Sequence, residues 1–213
     1  MPPERPGPAG GRRDENRRRR VASLCAAAEE LFAAEGLAEI TVDRIVSRAG
    51  VAKGSFYRYV SDIEELVATM LEPLQGALRD AIGRAAAELA EAKDAETLTG
   101  TYRRLAAELA ASAMAHPRLV AIYLQEARAP GIGARRPIRA LAEEIERGAV
   151  ELTRAARTHG LLRSDYDLRV GALAAIGAAE RIMFSYLKGD SPGDPQDVID
   201  SLVSVILDGV RGR

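Results

Sequence analysis

Seven consecutive residues, KGSFYRY at 53–59, gather an ammonium, a hydroxyl, three aromatic rings and a guanidinium, in a chain whose aromatic content is only 4%. Lys53 and Ser55 can reach base edges or phosphate oxygens, and Gly54 lets a backbone come close. The hydroxyls of Tyr57 and Tyr59 can donate to phosphates, and Arg58 adds charge. Such a set suits a polyanionic partner. The competing reading is that Tyr57 and Tyr59 only fill the core of a small domain.

Those side chains need a short, rigid element under them. Thr41 can cap a helix whose inward residues are Val42, Ile45 and Val46, Gly50 ends it, and a second short helix starts by Lys53. Phe56 is the inward anchor of this second helix. Two short helices joined by a glycine-containing turn make a helix-turn-helix, although ordinary all-helical proteins contain such pairs too. Ahead of them, Val21, Leu24, Cys25, Ala28, Leu31 and Phe32 share one helical face, with Gly36 where a C-terminal cap belongs. That helix should begin near Asn16 or Arg17. Residues 1–15, rich in Pro and Gly, read as a disordered basic arm.

The net charge is −1 over 213 residues, which by itself argues against an anionic partner. Its distribution says otherwise. Residues 1–60 carry eleven Lys and Arg against eight Asp and Glu, so the acidic excess lies wholly in the rest of the chain. The run RRRR at 17–20, with Arg12 and Arg13 before it, can lie along phosphates or enter a minor groove, or it can simply solubilise the N-terminus. The one cysteine, Cys25, cannot form an internal disulfide and reads as a packed thiol. No h-region follows the N-terminal charges, and no uninterrupted apolar run approaches the ~20 residues that span a bilayer. The expectation is a cytoplasmic chain with no membrane partner.

Beyond Ser61 the chain reads as long helices over 62–92, 96–115, 117–128, 134–159, 166–188 and 195–211, separated by breaks such as APGIG and DSPGDP. Pro73 should kink or split the first of them. No strand is expected, so the fold class is all-α.

The stretch from Thr41 to Leu66, TVDRIVSRAGVAKGSFYRYVSDIEEL, closely resembles the signature of the TetR family of transcriptional regulators. The resemblance implies about nine helices in three regions: the arm at 1–15, a helix-turn-helix DNA-binding domain at 16–61, and a ligand-binding and dimerisation body at 62–213. Two positions depart from the family pattern. Ala52 stands where a capping Ser or Thr is usual, and Ile63 stands where a phosphate-contacting Lys is usual.

On that resemblance the partners are a double-stranded DNA operator, a small-molecule effector and a second copy of the chain. DNA would be met by Arg17, Thr41, Arg44, Lys53, Gly54, Ser55, Tyr57, Arg58 and Tyr59. An effector cavity would draw on Met70, Leu74, Tyr102, Leu109, Met114, Tyr123, Glu180 and Phe184, with Arg128 or Gln125 as further polar anchors. The small-residue helix at 169–187 and the helix at 134–159 would pair with their counterparts in a four-helix interface through Ile138, Leu141, Ile145, Leu152, Ala175, Gly177 and Met183.

The function expected is a homodimeric repressor released from a palindromic operator by a small, largely apolar effector. The alternatives are a regulator of the same architecture without a small effector, activating or controlled by a protein, and an all-helical enzyme. The enzyme fares badly: no catalytic residues, cofactor or metal site can be assembled, since neither His116 nor His159 has a second ligand at the right spacing.

Overall fold

The computed structural model describes residues 12–158 and 160–210. Among these residues the chain forms α1 (Arg12–Glu35), α2 (Val42–Ala49), α3 (Lys53–Tyr59), α4 (Ile63–Glu91), α5 (Ala95–Ala115), α6 (Pro117–Glu126), α7 (Arg136–Thr158), α8 (Leu168–Leu187) and α9 (Pro195–Val210). A 3-10 turn, Gly133–Arg135, leads into α7. The fold is all-α.

The helix boundaries follow local chemistry. Asp62, Asp94 and Asp167 each accept a hydrogen bond from a first-turn N–H, those of Glu65, Thr97 and Arg169, which satisfies a donor the helix cannot pair internally. Pro117 opens α6, where its missing N–H costs nothing. Helix α1 starts at Arg12, ahead of the expected Asn16. Asp14 and Glu15 sit in its first turn, where the dipole favours acids, and they accept from Arg18 at 2.9 Å and Arg19 at 2.7 Å one turn later. The remainder of the expected arm, residues 1–11, lies outside the described residues. Pro73 does not split α4, which runs through it unbroken.

Two apolar clusters hold the molecule together. The first joins α1, α2 and α3 to the N-terminal half of α4, and to α6 and α7, through Leu24, Phe32, Ile45, Phe56, Leu66, Ile122 and Ile138. The second joins the C-terminal half of α4 to α5, α7 and α9 through Leu89, Leu98, Leu152 and Leu207. Helices α4 and α7 pack closely because Gly148 faces Ile82, where even a methyl group would clash. Arg79–Glu144 and Arg136–Glu64 ion pairs flank the same seam.

Helix α8 is the exception to good burial. It is long and apolar enough to cross a bilayer by length and composition, although no uninterrupted apolar run of that length was expected, yet only 6% of its most apolar window is buried in the protomer. One side of it meets α6, α7 and α9. The other carries Val170 and Leu173, both exposed.

Candidate nucleic-acid interface and body cavity

Helix α3 is anchored by Phe56, which has no exposed surface, and the anchor fixes what the helix presents. Lys53, Gly54, Tyr57 and Arg58 are exposed, while Ser55 and Tyr59 are half-buried. The Tyr57 ring is 55% exposed and stands edge-on to Phe56, 5.3 Å between centroids. Tyr59 turns instead into a crevice between α1 and α4, beside Arg17, Val21 and Thr69. The turn before α3 is set by Gly50, whose left-handed φ of 65° ends α2 and lets Val51 N–H donate back to Val46 at 3.0 Å. Thr41 caps α2 by accepting from the Arg44 N–H. Ala52 supplies no side-chain cap to α3, as its methyl group requires.

Three cations of this face are paired with carboxylates of the same three-helix unit. Lys53 Nζ lies 2.8 Å from Asp43, Arg44 lies 2.5 Å from Glu35, and Arg48 pairs with Glu30. The hydrogen bond to Asp43 raises the Lys53 ammonium above its usual range, and that from Arg44 lowers Glu35 below its own. All six side chains are well exposed to water, so incoming phosphates can replace the carboxylates at little cost. Asp43 and Glu35 are features that a motif reading misses, because each is acidic within a basic surface and only the fold shows its partner.

In the body, a cavity of about 410 Å³ lies between the two apolar clusters. All the helices from α4 to α9 contribute to its wall. Leu74, Tyr102, Leu109, Met114, Tyr123 and Glu180 line it, together with Ile145. Met70 does not; it packs within the first cluster. Phe184 is also absent from the wall, its ring lying beneath the cations of Arg181 and Lys188. At the wall the Tyr123 hydroxyl donates to Glu180 Oε1 at 2.9 Å, and Arg128 donates to Glu180 Oε2 at 2.8 Å. Burial pushes the Tyr102 phenol up to about 12.

The dimer residues expected from sequence divide. Ile138, Leu141 and Leu152 are 0%, 3% and 3% exposed inside the protomer, so the apolar stripe of α7 faces its own core and is unavailable to a second copy. Ala175, Met183 and Ile145 line the cavity, as Leu141 and Leu152 also do. At Gly177, about 200° round α8 from Ala175, nothing lies within 4 Å of the position a Cβ would take.

Glu126 was not singled out by the sequence. It is 8% exposed at the end of α6, accepts the Leu37 N–H at 3.1 Å, and pairs with Arg135 at 2.6 Å. Leu37 belongs to the turn between α1 and α2. Among the described residues, no group of three acidic, His or Cys side chains is placed to hold a metal ion.

A solvent-facing recognition helix, locked to a turn and a capped partner helix and mounted on an all-helical body, defines a helix-turn-helix DNA-binding regulator. Residues 24–70 match the model of the bacterial regulatory proteins of the tetR family, which covers the helix-turn-helix unit and the start of α4. No curated protein is significantly similar in sequence. Among solved structures, the fatty acid degradation regulator FadR from Bacillus halodurans is similar over 89% of this chain and 99% of its own, with 18% identity and a TM-score of 0.68. A putative fatty acid metabolism regulator of Clostridium perfringens is similar over 90% and 100%, with 20% identity and a TM-score of 0.67. The ketosteroid transcriptional regulator KstR2 of Mycobacterium tuberculosis is similar over 91% and 96%, with 23% identity and a TM-score of 0.62. These likenesses establish the fold.

Proposed function

We propose that the protein is a cytoplasmic, homodimeric repressor, released from a palindromic operator when a small, largely apolar effector enters the body cavity. Residues 16–61 act as the DNA reader and 62–213 as the sensor and dimerisation body. The cavity carries this reading: about 410 Å³ walled almost wholly by apolar side chains, in the size range of small-molecule sites. The names of FadR, the Clostridium perfringens protein and KstR2 point to fatty acids and ketosteroids, which supports an apolar effector here.

Two further observations support the parts. The outer face of α8, with Val170 64% and Leu173 45% exposed, is the kind of apolar surface that a second copy covers in a two-fold dimer. In α6, Tyr123 touches the cavity, and Glu126 one turn later holds the α1–α2 turn through Leu37. An effector that displaces Tyr123 from Glu180 would move the helix that steadies the DNA reader.

Native mass spectrometry of the protein from its expression host, followed by titration of any copurified compound into the operator complex, tests the reading. A bound apolar molecule that releases the DNA is expected. Replacing Ala175 by Trp should fill the cavity and leave DNA binding intact but insensitive to that compound. Release that persists unchanged in A175W would overturn the proposal.

A further inference from the structure

We infer that the effector is a lipophilic cation, an elongated apolar molecule ending in an amine, and that Glu180 selects it against carboxylic acids. The inference rests on the reading of the cavity as an effector site and adds to it the charge of the occupant. Glu180 is the one charged side chain among the described residues that line the cavity, and no Lys, Arg or His joins it in the wall. A carboxylate entering this space would leave water for a low-dielectric pocket that offers no cation and already holds a like charge, which costs binding twice over.

Arg128 does not reverse this. It stands outside the wall with its side chain 72% exposed, and its guanidinium is already engaged with Glu180 Oε2. An anionic head at the wall would have to share that guanidinium with the Glu180 carboxylate. An ammonium meets the opposite situation. Glu180 is 18% exposed and uses one hydrogen bond on each oxygen, so lone pairs remain for a further donor. A cation can also take the place of Arg128, whose water-facing guanidinium loses little when released. The Tyr123 hydroxyl, pushed well above its usual range first by burial and then by the Glu180 charge, remains a donor and holds the carboxylate in position.

Dodecylamine, dodecanol and dodecanoate share one chain and differ only in the head group, so they read the charge preference directly. Each is titrated below its critical micelle concentration into the full-length wild-type protein and the Glu180→Gln and Ala175→Trp variants, by isothermal calorimetry. The expected order in wild type is amine, then alcohol, then carboxylate, with the amine at least about tenfold tighter than the carboxylate. Glu180→Gln should bring amine and alcohol to within about threefold of each other, because an amide keeps the shape and removes the charge. Ala175→Trp should abolish binding of all three. If dodecanoate binds tightest, or if Glu180→Gln leaves the order unchanged, the charge inference fails while the effector site stands. If none of the three binds, or Ala175→Trp binds all three like wild type, the effector-site reading fails and the inference falls with it.

Discussion

Replacing Glu126 by Ala should destabilise the whole protein, and the structure sets the size of the effect. The carboxylate accepts the Leu37 N–H at 3.1 Å and pairs with Arg135 at 2.6 Å, in a place where Glu126 is 8% and Leu37 5% exposed. Ala removes both partners' acceptor at once. The stranded amide costs about 1–3 kcal/mol. The stranded guanidinium costs less than the ~3–5 kcal/mol of a fully buried broken pair, because Arg135 keeps 25% of its side-chain surface in water. A total of roughly 3 kcal/mol is expected, which for a chain of this size lowers Tm by about 6–12 °C. Glu126→Gln separates the two contributions, since its amide oxygen can still accept from Leu37 while the ion pair is lost. Its Tm should fall by a third to a half as much. Circular dichroism melts of the three proteins at equal concentration make the comparison. A drop below about 2 °C for Glu126→Ala would show that water replaces the carboxylate freely, and the idea that α6 steadies the α1–α2 turn would go with it.

The DNA face makes its own demands. Lys53→Ala should weaken operator binding about tenfold or more and flatten its salt dependence, and Tyr57→Phe should weaken it a few-fold, with neither changing Tm; intact binding in both would return these side chains to the surface. Asp43→Asn should strengthen operator binding, because it frees Lys53 in advance, and the gain should shrink in a Lys53→Ala background; an equal gain in both backgrounds, read by fluorescence anisotropy, would mean that Asp43 acts only by repelling phosphate. Gly177→Arg should yield monomers in analytical ultracentrifugation without loss of helicity, since nothing in the protomer lies within 4 Å of the position a Cβ would take; a persistent dimer would move the interface off α8. Cys25, whose thiol is pushed up to about 11 chiefly by burial and then by Glu29 and Glu72, should react with iodoacetamide at pH 8 about a hundredfold more slowly than a free thiol. Below its ordinary value of 9.0 the thiol holds its proton whether folded or not. Between pH 9 and about 11 the unfolded chain releases it first, so stability should fall as pH rises through that window.

Helix positions were legible because their signals are local. Capping aspartates, the Pro117 start and the glycine stops act within a turn of the residues they control, and the expected 96–115 and 195–211 fall within a residue of α5 and α9. What each helix face touches is not local, and there the sequence ran out. The spacing of Ile138, Leu141 and Leu152 defines an apolar stripe, but the same stripe serves an interior or an interface. Only the approach of α4, close enough to require Gly148, turns it inward. Glu126 ends an apolar run and reads as the solvated end of a helix, until Leu37, 89 residues earlier in the chain, is brought to it.

Helix α8 shows the limit most clearly. Ala175 and Gly177 are two residues and about 200° apart on the helix, so they point in nearly opposite directions. Both looked like contact residues because the helix is apolar almost all round. One is in the cavity wall and the other is on the outer face. A helix with a single apolar stripe announces which side is buried; one with two leaves the choice to its neighbours. Its neighbours make that choice: Ala172, Ala175, Ala179 and Met183, within about 80° of one another on the helix, line the cavity. Glu180, about 140° round from Ala175 and seven residues beyond Leu173, stands at the edge between the cavity face and the outer face, where Tyr123 and Arg128 hold it. Val170, Leu173 and Gly177 fall on the outer side, the side proposed for a second copy.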